Sequence, residues 1–135
     1  MRKINLIVVH CTATPATRTV TAADVDNWHK ARGFQCIGYH YLIHQNGYIE
    51  LGRDIEQPGA HTKGFNSYSV GVAYVGGVDS EGKPADTRTP EQKSALRRLL
   101  VHLKESYPDA SIHSHRDFAN KACPCFDATK EYEDI

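Results

Sequence analysis

The sequence has neither an excess of charge of one sign nor a long apolar run. Its 135 residues include 16 basic and 16 acidic side chains, and the sequence pI is about 7.1. Such a balance creates no strong field for a nucleic-acid backbone or an anionic membrane surface. The mostly apolar stretch from residue 4 to residue 9 is too short for a signal-peptide core or a membrane span. We therefore expect a protein made in the cytoplasm without a signal peptide, with no nucleic-acid partner and no membrane insertion.

The sequence also lacks internal repeats, linker-like segments and low-complexity stretches. A chain of this length can bury roughly two-thirds of its unfolded surface without disulfide bonds, so we expect one domain over residues 1–135. Four cysteines are present, at Cys11, Cys36, Cys123 and Cys125. In a reducing compartment, cysteines are more often free thiols or metal ligands than disulfides.

Hydrophobic patterning in the first half predicts strands around one helix. The stretch 4–9 is typical of a strand buried on both faces, and His10 stands where that strand ends. Thr21 can cap a helix that runs to about Arg32. In segment 39–51, side chains of two predicted faces alternate on both sides of an Asn-Gly pair, which indicates a hairpin. Its alternation predicts two faces, formed by Tyr39, Tyr41 and Ile43 on one side and by His40, Leu42 and His44 on the other.

The second half predicts a long loop over 52–68, a strand over 70–75 and a helix that begins after Thr89. That helix has a capping threonine, a proline at its first position and a glutamine placed for a capping box. A short strand over 110–114 follows, and Asp127 can cap a brief last helix. The predicted fold is a single α/β domain with a central mixed β-sheet of about five strands, flanked by two main helices plus a short C-terminal helix.

Two distant parts of the sequence hold potential metal ligands. His10 ends one predicted strand, and the segment 113-HSHRDFANKACPCFD-127 follows another. Zinc prefers imidazole nitrogen and thiolate sulfur, and a catalytic zinc keeps one position open for water. His10, His115 and Cys123 would be a sufficient protein set. If Cys125 were a fourth ligand, the coordination sphere would be closed and the zinc would be structural.

Five motifs occur together in one order. They are VVHCTATP (8–15), NWHKARGF (27–34), GYHYLIHQNGYIELGRD (38–54), AHTKGFNSYSVGVAYVGG (60–77) and HRDFANKACPCFD (115–127). Together they resemble the zinc-dependent N-acetylmuramoyl-L-alanine amidases of the type 2 family, especially the short phage lysozymes of amidase type. Peptidoglycan recognition proteins share that fold. The resemblance covers nearly the whole chain.

The resemblance implies one catalytic Zn²⁺ and cleavage of the amide that joins N-acetylmuramic acid to L-alanine of the stem peptide. It also implies roles for seven residues: zinc ligands His10, His115 and Cys123, catalytic residues Tyr39 and Lys121, and substrate-groove residues His61 and Asn66. The expected partner is peptidoglycan, and the expected state is a monomer. Some family members have an acid/base glutamate where this chain has Ala73. The base is therefore left open among Tyr39, Lys121 and zinc-bound water.

Three other functions are compatible with parts of this pattern. A peptidoglycan-binding module of the same fold can lack catalysis, usually because the cysteine ligand is lost, but Cys123 is present. A cysteine peptidase would need an activated thiolate, and Pro124 directly after Cys123 offers no helix start to activate one. A purely structural zinc would need four protein ligands. A phage endolysin and an exported antibacterial effector both fit a substrate that lies outside the membrane.

Overall fold

The computed structural model describes residues 2–135. Its seven strands are β1 (Leu6–Cys11), β2 (Thr14–Pro15), β3 (Tyr41–Ile43), β4 (Ile49–Leu51), β5 (Ser69–Tyr74), β6 (Gly77–Val78) and β7 (Ser111–Ser114). Its three α-helices are α1 (Ala22–Ala31), α2 (Pro90–Ser106) and α3 (Ala128–Glu131). Two short 3₁₀ turns cover Asn66–Tyr68 and His115–Asp117.

Five of the strands form one mixed sheet in the order β4-β3-β5-β1-β7. Strand β1 pairs in parallel with β5 and β7, β3 pairs in parallel with β5, and β3 with β4 forms the antiparallel hairpin. The prediction of a mixed sheet of about five strands is confirmed. Strands β2 and β6 form a separate parallel pair, which the sequence did not predict because two residues are too short to show an alternating pattern.

Each face of the sheet is covered by its own apolar cluster. The cluster on one face joins side chains of β1 and β5 to the leucines of α2 and to the last helix, α3. The cluster on the other face joins Leu42 and Ala73 to Val25 of α1. Because side chains alternate along a strand, His10 points away from the α2 face, on which Val9 and Cys11 lie. The α1 face is therefore where any site at His10 must form.

The helix boundaries agree closely with the predicted caps. Thr21 and Asp24 form a capping box at the start of α1, and Thr89 and Gln92 form another at the start of α2. Asp127 caps α3 through the backbone N–H of Lys130. None of the helices in the 2–135 range combines the length and the apolar character that a membrane crossing requires.

The predicted face of Tyr39 is wrong. Tyr41 and Ile43 pack with the α2 face, whereas Tyr39 packs with Leu42 on the α1 face. Strand β3 begins only at Tyr41. Just before it, the consecutive carbonyls of Tyr39 and His40 accept hydrogen bonds from the N–H groups of Arg53 and Gly52, respectively. A regular antiparallel ladder bonds alternate residues to a given neighbour. This irregular step breaks the alternation and turns Tyr39 towards the face on which His10 lies.

The loop over 52–68 crosses the α1 face and is ordered by hydrogen bonds from the half-buried side chain of Arg2. Arg2 donates hydrogen bonds to the carbonyls of Ile55, Asn66, Ser67 and Ser69. Backbone carbonyls that would otherwise be costly to bury are thereby satisfied. The loop can therefore hold His61 at a fixed place on the sheet.

Candidate metal centre

The sheet brings the two predicted halves of the metal site together. His10 is the fifth residue of β1, which lies between β5 and β7 and is paired on both sides. His115 follows the last residue of β7 directly and begins a 3₁₀ turn. Because β1 and β7 are parallel neighbours, their carboxyl ends lie at the same edge of the sheet. The two histidines therefore meet although 104 residues, 11–114, lie between them in the sequence.

His10, His115 and Cys123 form one cluster. One potential ligand atom from each residue lies within 4.8 Å of the other two. The rings of His10 and His115 are 4.4 Å apart between centroids, and Cys123 Sγ lies 3.9 Å from His10 Nδ1. His10 is buried, while the other two are half-buried. The cluster is therefore buried at His10 and partly exposed to solvent at His115 and Cys123.

The donor set fits a zinc ion. Among residues 2–135, His115 Nδ1 is the buried side-chain nitrogen or oxygen that has no hydrogen-bond partner. Such an orphaned atom costs about 1–3 kcal/mol unless something else satisfies it. A metal ion can do so, and two imidazoles with one thiolate are a set that catalytic zinc uses with a fourth position left for water. Burial lowers the pKa of both His10 and His115, which favours the neutral imidazole that binds metals.

Backbone contacts hold Cys123 in place. The N–H of Cys11 donates to Cys123 Sγ at 3.1 Å, and the N–H of Arg116 donates to the Cys123 carbonyl at 2.9 Å. The Cys123 thiol, together with burial, raises the pKa of the Cys11 thiol. Cys11 therefore stays protonated, and its backbone N–H holds Cys123 Sγ in place.

Cys125 lies outside this cluster within the described chain. Its Sγ is 3.4 Å from the carbonyl oxygen of Gly77. Burial raises the pKa of the Cys125 thiol to about 12, so the thiolate that a metal requires is disfavoured. The arrangement favours the open, three-ligand site over the closed structural one.

Tyr39 lies beside the cluster on the α1 face. Its ring is 5.1 Å from that of His10 and 5.4 Å from that of His29. Burial raises the pKa of Tyr39, and the nearby Cys123 and Cys11 thiols raise it further. The phenol therefore remains protonated at neutral pH and can donate a hydrogen bond, whereas it is a poor base in this state.

His29 supports Tyr39 and was not singled out from the sequence. It is a buried residue of α1, and its Nδ1 accepts a hydrogen bond from the N–H of Gly38 at 2.8 Å. The available signal was its position one turn after Val25, on the inner side of the helix. That spacing alone does not distinguish a buried histidine with a partner from any other core residue.

Lys121 is an exposed residue of the loop that contains Cys123. After the effect of burial, its positive charge is the next cause that lowers the pKa of His115. The ammonium group therefore acts electrostatically on His115. Its position is compatible with the predicted catalytic role.

His61 contacts the cluster directly, whereas the sequence predicted it in the substrate groove. Its Nδ1 is 2.9 Å from His10 Nε2 and 2.9 Å from the Thr62 hydroxyl. Asn66 uses its side-chain oxygen to accept from the N–H groups of His61 and Thr62, at 3.0 and 2.9 Å. Asn66 thus shapes the loop that presents His61. Direct contact of either residue with substrate stays a prediction.

The sequence profile of the N-acetylmuramoyl-L-alanine amidase family matches residues 1–126. The chain belongs to this family. It is 48% identical over 127 residues to an endolysin of Klebsiella phage KP32, and the match covers 94% of this chain and 84% of that protein.

Solved structures of amidases and recognition proteins share the fold of this family member. The amidase LysC from Clostridium intestinale URNW superposes with a TM-score of 0.83 at 29% identity, covering 97% of this chain and 83% of that one. The ectodomain complex of peptidoglycan recognition proteins LCa and LCx, bound to tracheal cytotoxin, gives a TM-score of 0.78 at 25% identity, covering 98% and 82%. The predicted fold class is thereby confirmed.

Proposed function

We propose that this amidase is a zinc-dependent peptidoglycan hydrolase that cleaves the amide between N-acetylmuramic acid and L-alanine of the stem peptide. The observation that carries the proposal is the convergence of His10, His115 and Cys123, with a buried His115 nitrogen that has no protein partner. A zinc ion bound there would polarise the amide carbonyl and lower the pKa of water to about 7. Family membership and the endolysin relative support the reaction.

Tyr39 and Lys121 have distinct proposed tasks. Negative charge develops on the carbonyl oxygen when the amide is attacked, and a hydrogen-bond donor or cation placed there lowers the barrier by about 3 kcal/mol. Tyr39 keeps its proton because burial raises its pKa, so it acts as a donor to the oxygen or to the leaving nitrogen. Lys121 is exposed, and its positive charge acts on His115.

No carboxylate on β5 can take part at the position where some relatives have a glutamate. Ala73 occupies that position, is fully buried, and is the direct register partner of His10. A methyl group there can neither accept nor return a proton. A zinc ion held by His10, His115 and Cys123 would supply the ionised water, and proton delivery is assigned to Tyr39 or Lys121.

The proposed place of action is the bacterial cell wall. The similarity to an endolysin of a Klebsiella phage favours a chain that is made in the cytoplasm and reaches the wall during lysis, rather than an exported effector. The near balance of basic and acidic residues gives no separate electrostatic means of wall attachment. Recognition is assigned to the site face itself, and we propose that the enzyme acts as a monomer.

The second candidate is a non-catalytic peptidoglycan-binding module. The likeness to recognition proteins bound to tracheal cytotoxin favours it. Against it, the cluster includes the thiol of Cys123, and a zinc ion held by three protein ligands would keep one coordination position for water. A module that only binds its ligand has no need for an open metal position. The enzyme is therefore the better supported function.

One experiment separates these functions. Purified peptidoglycan is incubated with the protein, with and without a zinc chelator, and new amino termini are identified by mass spectrometry. The amidase should release free N-terminal L-alanine only when metal is present. Binding without new termini would instead identify a recognition module, and cleavage that resists the chelator would contradict the zinc mechanism.

A further inference from the structure

One pair of register partners in the sheet contacts two consecutive loop residues, Cys123 and Pro124. Cys11 of β1 and Tyr74 of β5 are direct register partners. The backbone N–H of Cys11 donates to Cys123 Sγ at 3.1 Å, and the Tyr74 hydroxyl donates to the Pro124 carbonyl at 2.6 Å. Both contacts thus start from the same pair of strand residues.

Tyr74 is set firmly enough to position this loop. Its side chain is completely buried, and β5 is paired with β1 on one side and with β3 on the other. Such a tyrosine cannot move with the loop, because core packing and strand pairing on both sides fix its position. Burial also raises the pKa of Tyr74, so the hydroxyl retains the proton that it donates.

We propose that Tyr74 is a positioning residue of the metal centre. Its hydroxyl fixes the peptide group between Pro124 and Cys125, so that the sulfur of Cys123 stays beside His10 and His115; this inference rests on the zinc function proposed above. Partners that orient metal ligands typically affect metal affinity by about 10–100-fold when they are removed. Tyr74 acts through Cys123 and does not itself touch substrate.

The chain provides a matched control in Tyr132. Tyr74 and Tyr132 both contact Phe126, each at 6.2 Å between ring centroids, and both are buried. The hydroxyl of Tyr132, however, accepts from Arg88 at 2.9 Å. A tyrosine-to-phenylalanine change therefore removes one buried hydroxyl at either position, but only the change at Tyr74 releases the loop beside Cys123.

The test compares zinc dissociation constants of the wild type, Tyr74→Phe and Tyr132→Phe, measured by competition with a chromogenic chelator. Tyr74→Phe should weaken zinc binding by about 10–100-fold, while Tyr132→Phe should stay within about twofold of the wild type. The cobalt-substituted proteins give a second readout, since a displaced sulfur weakens the thiolate-to-metal charge-transfer band. Equal affinity and equal spectra in the wild type and Tyr74→Phe would overturn the proposal.

A measurement on the unaltered protein covers the case in which Tyr74→Phe does not fold. With ¹³C-labelled tyrosine, the ring signals of Tyr74 should shift when zinc is added, whereas those of Tyr132 should not. A Tyr74 ring signal whose chemical shift does not change when zinc is added would contradict the inference. A wild-type protein that binds no zinc at all would instead contradict the proposed function, so the two failures can be told apart.

Discussion

His40 and His115 are two histidines of the same domain whose ring nitrogens are satisfied in different ways. His40 Nδ1 accepts from the N–H of Gly71 at 3.0 Å, and its Nε2 lies 2.8 Å from the Gln57 carbonyl and 3.3 Å from Arg2. His115 Nδ1 is buried and has no such partner. Since buried polar atoms are nearly always paired, the first ring belongs to the scaffold and the second is available to a ligand.

The same contrast holds between the two members of the His-x-His motif. His113 Nε2 lies 2.8 Å from the Ser111 hydroxyl, and its Nδ1 is 3.7 Å from Asp117. His115, two residues later, lies beside His10 and Cys123. Hydrogen-bond satisfaction therefore identifies the candidate ligand where residue type alone does not.

The largest expected effect comes from Cys123→Ser. Removal of a thiolate ligand should weaken zinc binding by more than about 100-fold, beyond the usual cost of losing a partner of a ligand, and abolish release of L-alanine termini. Zinc content after dialysis and end-group analysis measure both effects. Cys125→Ser is the matched control and should keep its zinc. If Cys125→Ser lost its zinc as completely as Cys123→Ser, Cys125 would have to be counted among the ligands.

Tyr39→Phe should give the next largest effect. Loss of one hydrogen-bond donor to a developing oxyanion usually lowers kcat by about 10²–10³-fold, and zinc affinity should not change because Tyr39 is not one of the three proposed ligands. Steady-state hydrolysis of a soluble muropeptide measures kcat. Tyr41→Phe, on the opposite face of the sheet, should leave kcat unchanged. Similar rates for the wild type and Tyr39→Phe would remove this tyrosine from the mechanism.

Replacing His40 and replacing His115 should have opposite effects on stability and zinc binding. His40→Gln should lower the free energy of unfolding by about 1–3 kcal/mol, because Gly71 and Gln57 lose a buried partner, while the folded variant still binds zinc. His115→Gln should lose zinc and leave the stability of the metal-free protein nearly unchanged. Urea unfolding in chelator and zinc titration separate these outcomes. A zinc-deficient His40→Gln would show that the two histidines do not have separate tasks.

The smallest expected effect is on the pH dependence of stability. Burial lowers the pKa of His40 to about 4, below its usual value of 6.5. The unfolded chain therefore takes up a proton at a higher pH than the folded chain, so this histidine reduces stability as pH falls from about 6.5 to about 4. In metal-free protein, His40→Gln should show a shallower loss of stability over that window. An unchanged slope would mean that folding does not lower the pKa of His40.

The sequence predicted the elements whose signal is local. Thr21 and Thr89 marked both helix starts, and the spacing of leucines marked the buried face of α2. The three proposed ligands could be recognised because His10 and His115 both stand at strand ends, and parallel neighbours bring such ends together.

Other parts of the site depend on contacts between distant segments and could not be predicted locally. The face of Tyr39 depends on hydrogen bonds to Gly52 and Arg53 that break the strand pattern. The contact of His61 with His10 depends on the course of a loop without periodicity. Tyr74 looked like an ordinary strand residue, because its partner, Pro124, is 50 residues away in the sequence.

The distance between the first and last residues of the cluster also determines when the centre can exist during synthesis. His10 and Cys123 are 113 residues apart, and at about 5–20 residues per second the ribosome adds the second on the order of 10 s after the first. Strand β1 is also paired on both edges only after Ser111–Ser114 has been synthesised. A nascent chain therefore cannot form the proposed metal centre until residue 123 has been added, and a product that stops at residue 120 should bind no zinc in the same competition assay.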